Sequence, residues 1–390
     1  MTGLLVVLVV VLLAVALWQL SKIFALTQIG KKPEGEVTNV ANDNDNRING
    51  YLLFGFLGFI YLITIVCIVK YGAFPLMEDS ASEHGKEVDQ LMWISMILIF
   101  TVQTITQALL HYFGYKYSGK KGQVATYLSD NNKLEFIWSS IPAIVLAVLI
   151  FFGLFTWNDI MFVNEKEEKP IVIEIYAQQF KWTARYAGDD NVLGKANVRL
   201  IEGINTLGVD LADPNAQDDI VAEELHLPKG KKVIFKIRSQ DVLHSMYMPH
   251  FRAQMNCVPG MVTQFAFTPI MTTQEMRDTK AMTEKVHHIN EIRSQKSKQL
   301  EAEGKPGLDP YTFDYLLLCN KICGASHYNM QMKIVVDSPE DYKKWLKDKT
   351  TLVQAVKNAA KEEAATAAAE AGKPADSTAP KNDTTVVATK

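Results

Sequence analysis

The residues best suited to chemistry lie in one short segment near the carboxyl end of the chain, which reads CNKICGASHYNM from Cys319 to Met330. Cys319 and Cys323 supply two thiols, and His327 and Met330 follow with an imidazole and a thioether. Thiolate and thioether donors select copper(I), zinc or iron-sulfur chemistry, and imidazole suits copper, zinc and iron. Because a methionine is not a ligand that zinc prefers, this mixed set favours copper.

Two other uses of the cysteines remain open from these residues alone. Cys319 and Cys323 could form a disulfide in an oxidising compartment, because a four-residue spacing in a helical turn brings the α-carbons within bridging range. A disulfide gives no role to His327 or Met330. A structural zinc site would use two cysteines and two histidines, but its cysteine pairs usually lie closer together in sequence.

A second imidazole must come from another part of the chain, and His244 is the strongest candidate. It follows residues 232–238, whose alternating pattern predicts a β-strand. Alone, a histidine at the end of a strand is more often a surface or core residue than a ligand. Its neighbours carry more information: the run DVLHS precedes Met248 and Pro249, and VPG follows at 258–260.

Together these motifs resemble the binuclear copper (CuA) domain of cytochrome c oxidase subunit 2. The resemblance implies two bridging thiolates, one imidazole for each copper and one weak thioether ligand, which are Cys319, Cys323, His244, His327 and Met330. Where the family usually has Glu between the cysteines, this chain has Lys321. Its backbone carbonyl can still bind copper, but a lysine cannot replace the carboxylate that reaches a magnesium ion at the interface with the catalytic subunit.

A second departure concerns the family's aromatic cluster, whose leading tryptophan receives electrons from cytochrome c. That position is Phe180 in this chain. Trp182 matches a later aromatic residue of the cluster, for which core packing is the expected role. The resemblance therefore makes Phe180 and Trp182 the candidates for electron uptake.

The elements that must position these residues divide the chain into a membrane part and a soluble part. The chain has 390 residues and is 48% hydrophobic, but the first third is far more apolar than the rest. Four apolar runs, at 4–20, 51–69, 91–112 and 134–157, are predicted to cross the membrane, although removal of the first as a signal segment stays open. The Asn- and Asp-rich residues 41–49 are predicted to form a flexible connector.

The charges between the apolar runs predict the topology. Lysines follow the first and third runs, and acidic residues follow the second. Because cytoplasmic loops carry the excess of Lys and Arg, the amino terminus and the copper-like domain are predicted to face the periplasm of a bacterial inner membrane.

The fourth run contains another marker of the family, with Glu135, Trp138 and Pro142 at its start. It resembles the second helix of the two-helix hairpin of subunit 2, so residues 88–160 would form that hairpin and residues 1–70 two additional helices. In the family this glutamate lies at the mouth of a proton-uptake path, a role the resemblance implies for Glu135. The alternative is a solvated carboxylate at a helix end.

The expected fold is therefore a set of amino-terminal transmembrane helices followed by an all-β, cupredoxin-like Greek-key barrel. The barrel would occupy residues 166–340, with insertions at 187–224 and 272–306. The second insertion reads as a polar helix. Residues 341–390 are predicted to form a helix and then, from Lys361, a disordered tail that is too polar to build a core.

By resemblance, the chain would accept electrons from a c-type cytochrome and pass them to the haem of catalytic subunit 1. That subunit, with its haems and a further copper, would reduce oxygen to water and move protons; subunit 3 and membrane lipid are the other expected partners. Phe180 and the insertions motivate the hypothesis that the donor is anchored in a quinol:cytochrome c reductase supercomplex. A net charge of −3 without a basic, aromatic-rich patch gives no nucleic-acid signal.

Two alternatives for function stay open on the sequence. One is the copper-containing, electron-accepting subunit of a nitric oxide or nitrous oxide reductase. The other is a non-enzymatic, membrane-tethered copper-binding protein, which would more often bind a single copper.

Overall fold

The structure, a computed structural model, describes residues 2–29, 43–71, 79–124 and 126–371. Its first part contains four long helices: α1 (Thr2–Ile29), α2 (Asp43–Tyr71), α3 (Gly85–Lys116) and α4 (Asn132–Met161). The chain divides into two compact units, of which the first comprises Met1–Pro75 and Ile94–Ile144 and the second comprises Leu76–Trp93 and Val145–Lys390.

Helices α2, α3 and α4 are long and apolar enough to cross a membrane. In α1 the structure describes the side chains of the apolar segment Val10–Ile23, so the predicted span at 4–20 lies only partly within the described side chains. The described residues therefore contain three of the four predicted spans. The apolar side chains of α2, α3 and α4 are largely exposed in the chain by itself, as expected for surfaces that contact lipid or other subunits.

Helix α2 begins at Asp43, so residues 43–49 are helical rather than part of the predicted connector. Residues 41 and 42 lie outside the described part. Carboxylates in a first turn interact favourably with the positive end of a helix, and Asp43 and Asp45 occupy that turn. The Arg47 guanidinium also donates to Oδ1 of Asn44 at 2.8 Å. These contacts extend the helix beyond its apolar run.

In the first unit, side chains of α2 and α3 are in contact near the start of α2 and close to its middle. The Tyr61 hydroxyl donates to Oγ1 of Thr104 at 2.9 Å. Near the start of α2, Gly50 leaves room for the Tyr115 ring, since a Cβ at position 50 would lie 2.4 Å from Cδ2 of that ring. Helix α2 is therefore in contact with α3 at these two levels.

The second unit contains the β-domain, which follows a short helix, α5 (Glu165–Glu168). One sheet has the order β3-β2-β1-β5-β8 and the other the order β4-β10-β9-β6-β7. The strands are β1 (Ile171–Gln178), β2 (Lys181–Tyr186), β3 (Ile220–Ala222), β4 (Leu225–Pro228), β5 (Val233–Ser239), β6 (His244–Met248), β7 (Ala253–Cys257), β8 (Thr263–Phe267), β9 (Tyr315–Cys319) and β10 (Gln331–Asp337). This helix-then-sheet architecture confirms the predicted fold class.

The main core of the β-domain is built from alternate residues of the strands. In β10, buried and partly exposed residues alternate, as expected for a strand with one face on a core. Among the largest buried side chains are Trp182, Phe235, Phe267 and Tyr315. Removing this apolar surface from water is the main stabilising contribution to the domain.

A group of charged side chains is also buried in this domain. Arg185 donates to Glu174 at 2.6 Å and to Oδ2 of Asp219 at 2.9 Å, and Arg238 donates to Glu174 as well. Oδ1 of Asp219 is buried and has no hydrogen-bond partner among the residues that the structure describes. Burial raises the pKa of Asp219 to about 6, although the charge of Arg185 opposes the shift.

The ends of α3 and α4 that belong to the second unit are tied to the β-domain. Nε and Nη2 of Arg252 donate to the two carboxylate oxygens of Asp89 at 2.7 and 2.9 Å. Between the two helices, Thr156 donates to Glu87 at 3.1 Å. Ile160 of α4 is buried in the main core of the domain. These contacts fix the β-domain to its own helix ends.

The second insertion contains the predicted polar helix, as α6 (Thr273–Arg277) and α7 (Lys280–Ala302). Beyond the last strand there are two helices, α8 (Pro339–Lys347) and α9 (Leu352–Ala371). The prediction that the tail is disordered from Lys361 was wrong as far as Ala371, where α9 ends. This segment is rich in alanine, which has the highest helix propensity of any residue. Residues 372–390 lie outside the described part.

Candidate metal centre

Two loops at one end of the second sheet, beside its inner strands β6 and β9, carry the predicted ligands. Cys319 is the last residue of β9, and the segment that follows it returns to β10 through a 3₁₀ turn at His327–Asn329. The Cys319 amide donates to the Met330 carbonyl at 3.2 Å and closes this loop at its base. His244 is the first residue of β6, which pairs with β9 in the register Met246 to Cys319. Strand pairing thus brings His244 beside a cysteine 75 residues away.

The donor atoms lie close to one another. Sγ of Cys319 is 3.9 Å from Sγ of Cys323 and 3.8 Å from Nδ1 of His244. Sγ of Cys323 is 3.6 Å from Nδ1 of His327 and 3.8 Å from Sδ of Met330. The structure therefore brings together all five of the predicted side-chain ligands.

These separations fit a metal site and do not fit a disulfide. Ligands about 2.0–2.3 Å from one tetrahedral metal ion lie roughly 3.3–3.8 Å from each other. A disulfide needs its sulfurs about 2.05 Å apart. Cys319, Cys323 and His244 are buried, and their ligand atoms all lie within 4.8 Å of one another. Two thiols, two imidazoles and a thioether form a donor set that suits copper.

The backbone of Lys321 contributes a further donor. Its carbonyl oxygen lies 3.2 Å from Sγ of Cys319, while its side chain is exposed. A carbonyl at this position can serve as a ligand whatever side chain the residue carries. The exposed lysine side chain therefore takes no part in this contact, which the backbone makes.

Asp241 fixes the orientation of the His244 ring. Oδ1 of Asp241 lies 2.8 Å from Nε2 of His244, so a proton on Nε2 leaves Nδ1, the atom that faces Cys319, free as a ligand. Burial raises the pKa of Asp241, but hydrogen bonds from the Gln179 amide, His244 and the Val242 amide outweigh burial and hold the pKa below its usual value. Asp241 is therefore ionised at neutral pH.

The turn between β1 and β2 joins the two ligand loops. The Gln179 amide donates to Oδ2 of Asp241 at 2.7 Å, and its side-chain Nε2 donates to the Cys323 carbonyl. Without metal, burial and the neighbouring Cys319 raise the pKa of Cys323 to about 11. Metal binding must therefore displace a proton from this thiol.

The two aromatic candidates differ in position. Trp182 is buried, with its ring 6.2 Å from the His244 ring and its indole nitrogen 3.4 Å from the Met330 carbonyl. Phe180 is half-buried and close to Gly324, where an added Cβ would lie 2.8 Å from Cζ of Phe180. Both residues thus lie beside the ligand loops, Trp182 below the surface and Phe180 nearer to it.

Glu135 belongs to the first unit, where it is exposed in the first turn of α4. It is not one of the residues that the β-domain brings together. The roles of Asp241 and Gln179 were missed from sequence. The three-residue spacing between Asp241 and His244 could have indicated the role of Asp241. The contacts of Gln179 depend on strand packing, so no sequence pattern indicated its role.

Comparison with known families identifies both parts of the chain. Residues 68–155 match the family model described as "Cytochrome C oxidase subunit II, transmembrane domain". Residues 171–275 match the family model described as "Cytochrome C oxidase subunit II, periplasmic domain". The crystal structure of the periplasmic domain of subunit II of cytochrome oxidase from Bradyrhizobium japonicum covers 46% of this chain and 91% of its own, at 17% identity. The TM-score of this comparison is 0.26.

Sequence relatives agree with the family descriptions. The alternative cytochrome c oxidase subunit 2 of Bradyrhizobium diazoefficiens is 33% identical over 294 residues, which cover 75% of this chain and 91% of the relative. Cytochrome c oxidase subunit 2 of Cereibacter sphaeroides is 20% identical over 288 residues, or 69% and 78% of the two chains. This chain is a membrane protein with a periplasmic domain, and it belongs to the cytochrome c oxidase subunit 2 family.

Proposed function

We propose that this chain binds a binuclear copper centre and acts as the electron-accepting subunit of a cytochrome c oxidase. The observation that supports this most directly is the clustering of donors from two loops, with neighbouring donor atoms 3.2–3.9 Å apart. The proposed ligands are Cys319, Cys323, His244, His327, Met330 and the Lys321 carbonyl. Two coppers that share two thiolates take up and release one electron with little change in bonding.

The chain's own residues would keep that site rigid. Cys319 and His244 stand at the ends of two paired strands, so the sheet fixes their separation. Asp241 holds the proton of the His244 ring on the nitrogen that faces away from the thiols. The buried Trp182 ring packs beside His244 and keeps water from that side of the site. A site that moves little between redox states transfers electrons quickly.

The proposed donor is a c-type cytochrome, and the proposed acceptor is the haem of catalytic subunit 1, in an oxidase that also contains subunit 3. Two apolar side chains of the ligand loop, Ile322 and Tyr328, are 87% and 88% exposed. Exposed apolar groups of this kind mark contact sites when they lie beside a functional centre. We assign them to the contact with a redox partner.

Copper counting tests the proposal. The full-length chain, purified in detergent and loaded with copper, should bind two coppers and give an electron paramagnetic resonance signal that is delocalised over both. Cys323→Ser should lose that signal. Cys257→Ser is the matched control, because Cys257 is a buried thiol paired with His244 across β6 and β7 but is outside the ligand set. One copper or none in the unsubstituted chain would contradict the proposal and favour a copper-carrying protein.

The half-buried Phe180 beside the ligand loops is the residue from which we infer the kind of electron donor. We propose that the donor is held in a complex with a quinol:cytochrome c reductase, since the family's tryptophan is absent from this position. Membranes should then oxidise quinol rapidly, while the purified oxidase should turn over slowly with soluble cytochrome c at low salt. Normal turnover of the purified oxidase with soluble cytochrome c would count against an anchored donor.

Glu135 is proposed to load protons from the cytoplasmic side. Its position in the first turn of α4 is compatible with that role. Glu135→Gln should slow the turnover of the assembled oxidase without changing the copper content. An unchanged turnover rate would leave Glu135 as a solvated residue at a helix end.

A further inference from the structure

A basic cleft lies in the first unit, between the start of α2 and the segment that follows α3. It encloses about 780 Å³. Four cationic side chains line it, namely Arg47, Lys116, Lys120 and Lys121, with one carboxylate, Asp43. The cleft is separate from the proposed copper site, and neither the family descriptions nor the proposed function gives it a role.

The positive charge of the cleft is only partly neutralised. Oδ1 of Asp43 accepts a hydrogen bond from the Lys121 amide at 2.8 Å, so this carboxylate is already engaged by the backbone. Within the described part of the chain, the ammonium groups of Lys120 and Lys121 form no ion pair. The first turn of α2 also lines the cleft, and the amino end of a helix adds positive potential. Such a cleft attracts an anion.

Contacts between the two elements make this a constructed site rather than a chance cluster of lysines. Nδ2 of Asn46 donates to the Gly119 carbonyl at 2.7 Å, beside the Lys121 contact. The rings of Tyr51 and Tyr115 lie 5.6 Å apart on the same side of the helices. Cationic groups from α2 and from the segment after α3 are therefore held around one space.

The position of the cleft along the chain places it at the cytoplasmic membrane surface. The segment after α3 leads into α4, which crosses the membrane once before the periplasmic domain begins. Tyr112 and Tyr115 line the cleft, and tyrosines are enriched at the depth of the lipid headgroups. The cytoplasmic leaflet carries anionic lipids, and basic pockets between transmembrane helices on that side bind their headgroups.

We propose that this cleft binds the phosphate headgroup of an anionic phospholipid of the cytoplasmic leaflet. The phosphate accepts hydrogen bonds from Arg47, Lys120 and Lys121, and the acyl chains lie along the exposed apolar surfaces of α2 and α3. A zwitterionic lipid binds less well, because its own cation repels the lysines. Since α2 lies outside the two-helix hairpin, the additional helix creates a lipid site that the hairpin alone lacks.

The test uses the full chain in its assembled oxidase, reconstituted in nanodiscs that contain either phosphatidylglycerol with phosphatidylcholine or phosphatidylcholine alone. Native mass spectrometry after partial delipidation measures the bound lipid. The unsubstituted complex should retain phosphatidylglycerol in preference to phosphatidylcholine. The double substitution Lys120→Gln and Lys121→Gln should weaken phosphatidylglycerol binding about 30-fold, and Arg47→Gln should weaken it in the same direction.

Lys133→Gln is the matched control, because Lys133 is exposed in the first turn of α4 but does not line the cleft. It should leave lipid retention unchanged. Should the double variant fail to assemble, the Arg47→Gln complex alone decides. Equal retention of both lipids in every complex would overturn the proposal. Binding of inorganic phosphate at millimolar concentration, without any preference for phosphatidylglycerol over phosphatidylcholine, would overturn it in favour of a site for a soluble phosphate.

Discussion

Oδ1 of Asp241 lies 2.8 Å from Nε2 of His244, and the other ring nitrogen faces the Cys319 thiol at 3.8 Å. One side chain therefore determines which nitrogen of the proposed ligand is available to a metal. A partner of this kind also makes the imidazole a better donor. The effect of Asp241 on copper binding should thus exceed what its exposed position suggests.

Asp241→Asn should weaken copper binding by about 10- to 100-fold, because the ring loses its charged hydrogen-bond partner. Competition of the full-length protein with a copper chelator measures this affinity. Asp348→Asn, which changes an exposed aspartate at the end of α8, is the control. Equal affinities for the two variants would show that Asp241 does not orient His244.

Gly324→Ala should destabilise the ligand loop by about 1–3 kcal/mol. The residue has a φ of +143°, and an added Cβ would lie 2.8 Å from Cζ of Phe180 and 2.9 Å from Nε2 of Gln179. Gly230→Ala is a useful comparison, since Gly230 has a φ of +74° but no atom of a described residue within 4 Å of the added Cβ. Hydrogen exchange of residues 320–330 should increase only for Gly324→Ala, and equal exchange in both variants would exclude the contact with Phe180 as the cause.

Asp219 should make the stability of the β-domain depend on pH. Its folded-state pKa of about 6 is above the usual value of 3.8, so the folded state binds the proton more tightly than the unfolded state. The resulting stabilisation is fully present below pH 4 and is lost as the pH rises through 6. It amounts to at most about 3 kcal/mol.

Denaturant unfolding between pH 4 and 7 tests this dependence. Asp219→Asn should remove the corresponding slope, because the amide does not titrate. Asp309→Asn, at an exposed position, should keep the slope of the unsubstituted protein. If Asp219→Asn also keeps it, another group is responsible for the pH dependence.

Asp89→Asn should lower the thermal stability of the β-domain, because it leaves the Arg252 guanidinium without its doubly hydrogen-bonded partner. The side chains of Asp89 and Arg252 are 19% and 14% exposed, and breaking such a shielded pair costs more than breaking a surface pair, roughly 1–3 kcal/mol. Glu303→Gln breaks the exposed pair with Lys305 and should have little effect. Calorimetry of the full-length protein measures the melting temperatures of both variants. Equal melting temperatures would contradict the inference that the ion pair of Asp89 stabilises the attachment of the β-domain to its helix ends.

The sequence alone determined the chemistry and the general architecture. Four of the proposed side-chain ligands lie within one short loop, so their types and spacing were visible before any folding was considered. Long apolar helices are equally local, because the thickness of a membrane sets their length. The distribution of lysines then predicted the side of the membrane on which the β-domain lies.

Helix boundaries were predicted wrongly from the sequence where a helix has more than one source of stability. The apolar content predicted that α2 starts near residue 51, but the helix begins at Asp43. The hydrogen bond from Arg47 to Asn44 and the one from the Lys121 amide to Asp43 stabilise this additional part of the helix. The predicted tail is partly helical for a related reason, since alanine favours a helix even without an apolar stripe.

Only the tertiary structure decided how distant residues meet. His244 reaches Cys319 because β6 pairs with β9 in one register, and shifting that register by one residue would turn the histidine to the other face of the sheet. The contacts of Gln179 and the ion pair of Asp89 with Arg252 also join segments far apart in the chain. Strand register and loop packing are collective properties of the folded chain, and for that reason no local pattern could predict these contacts.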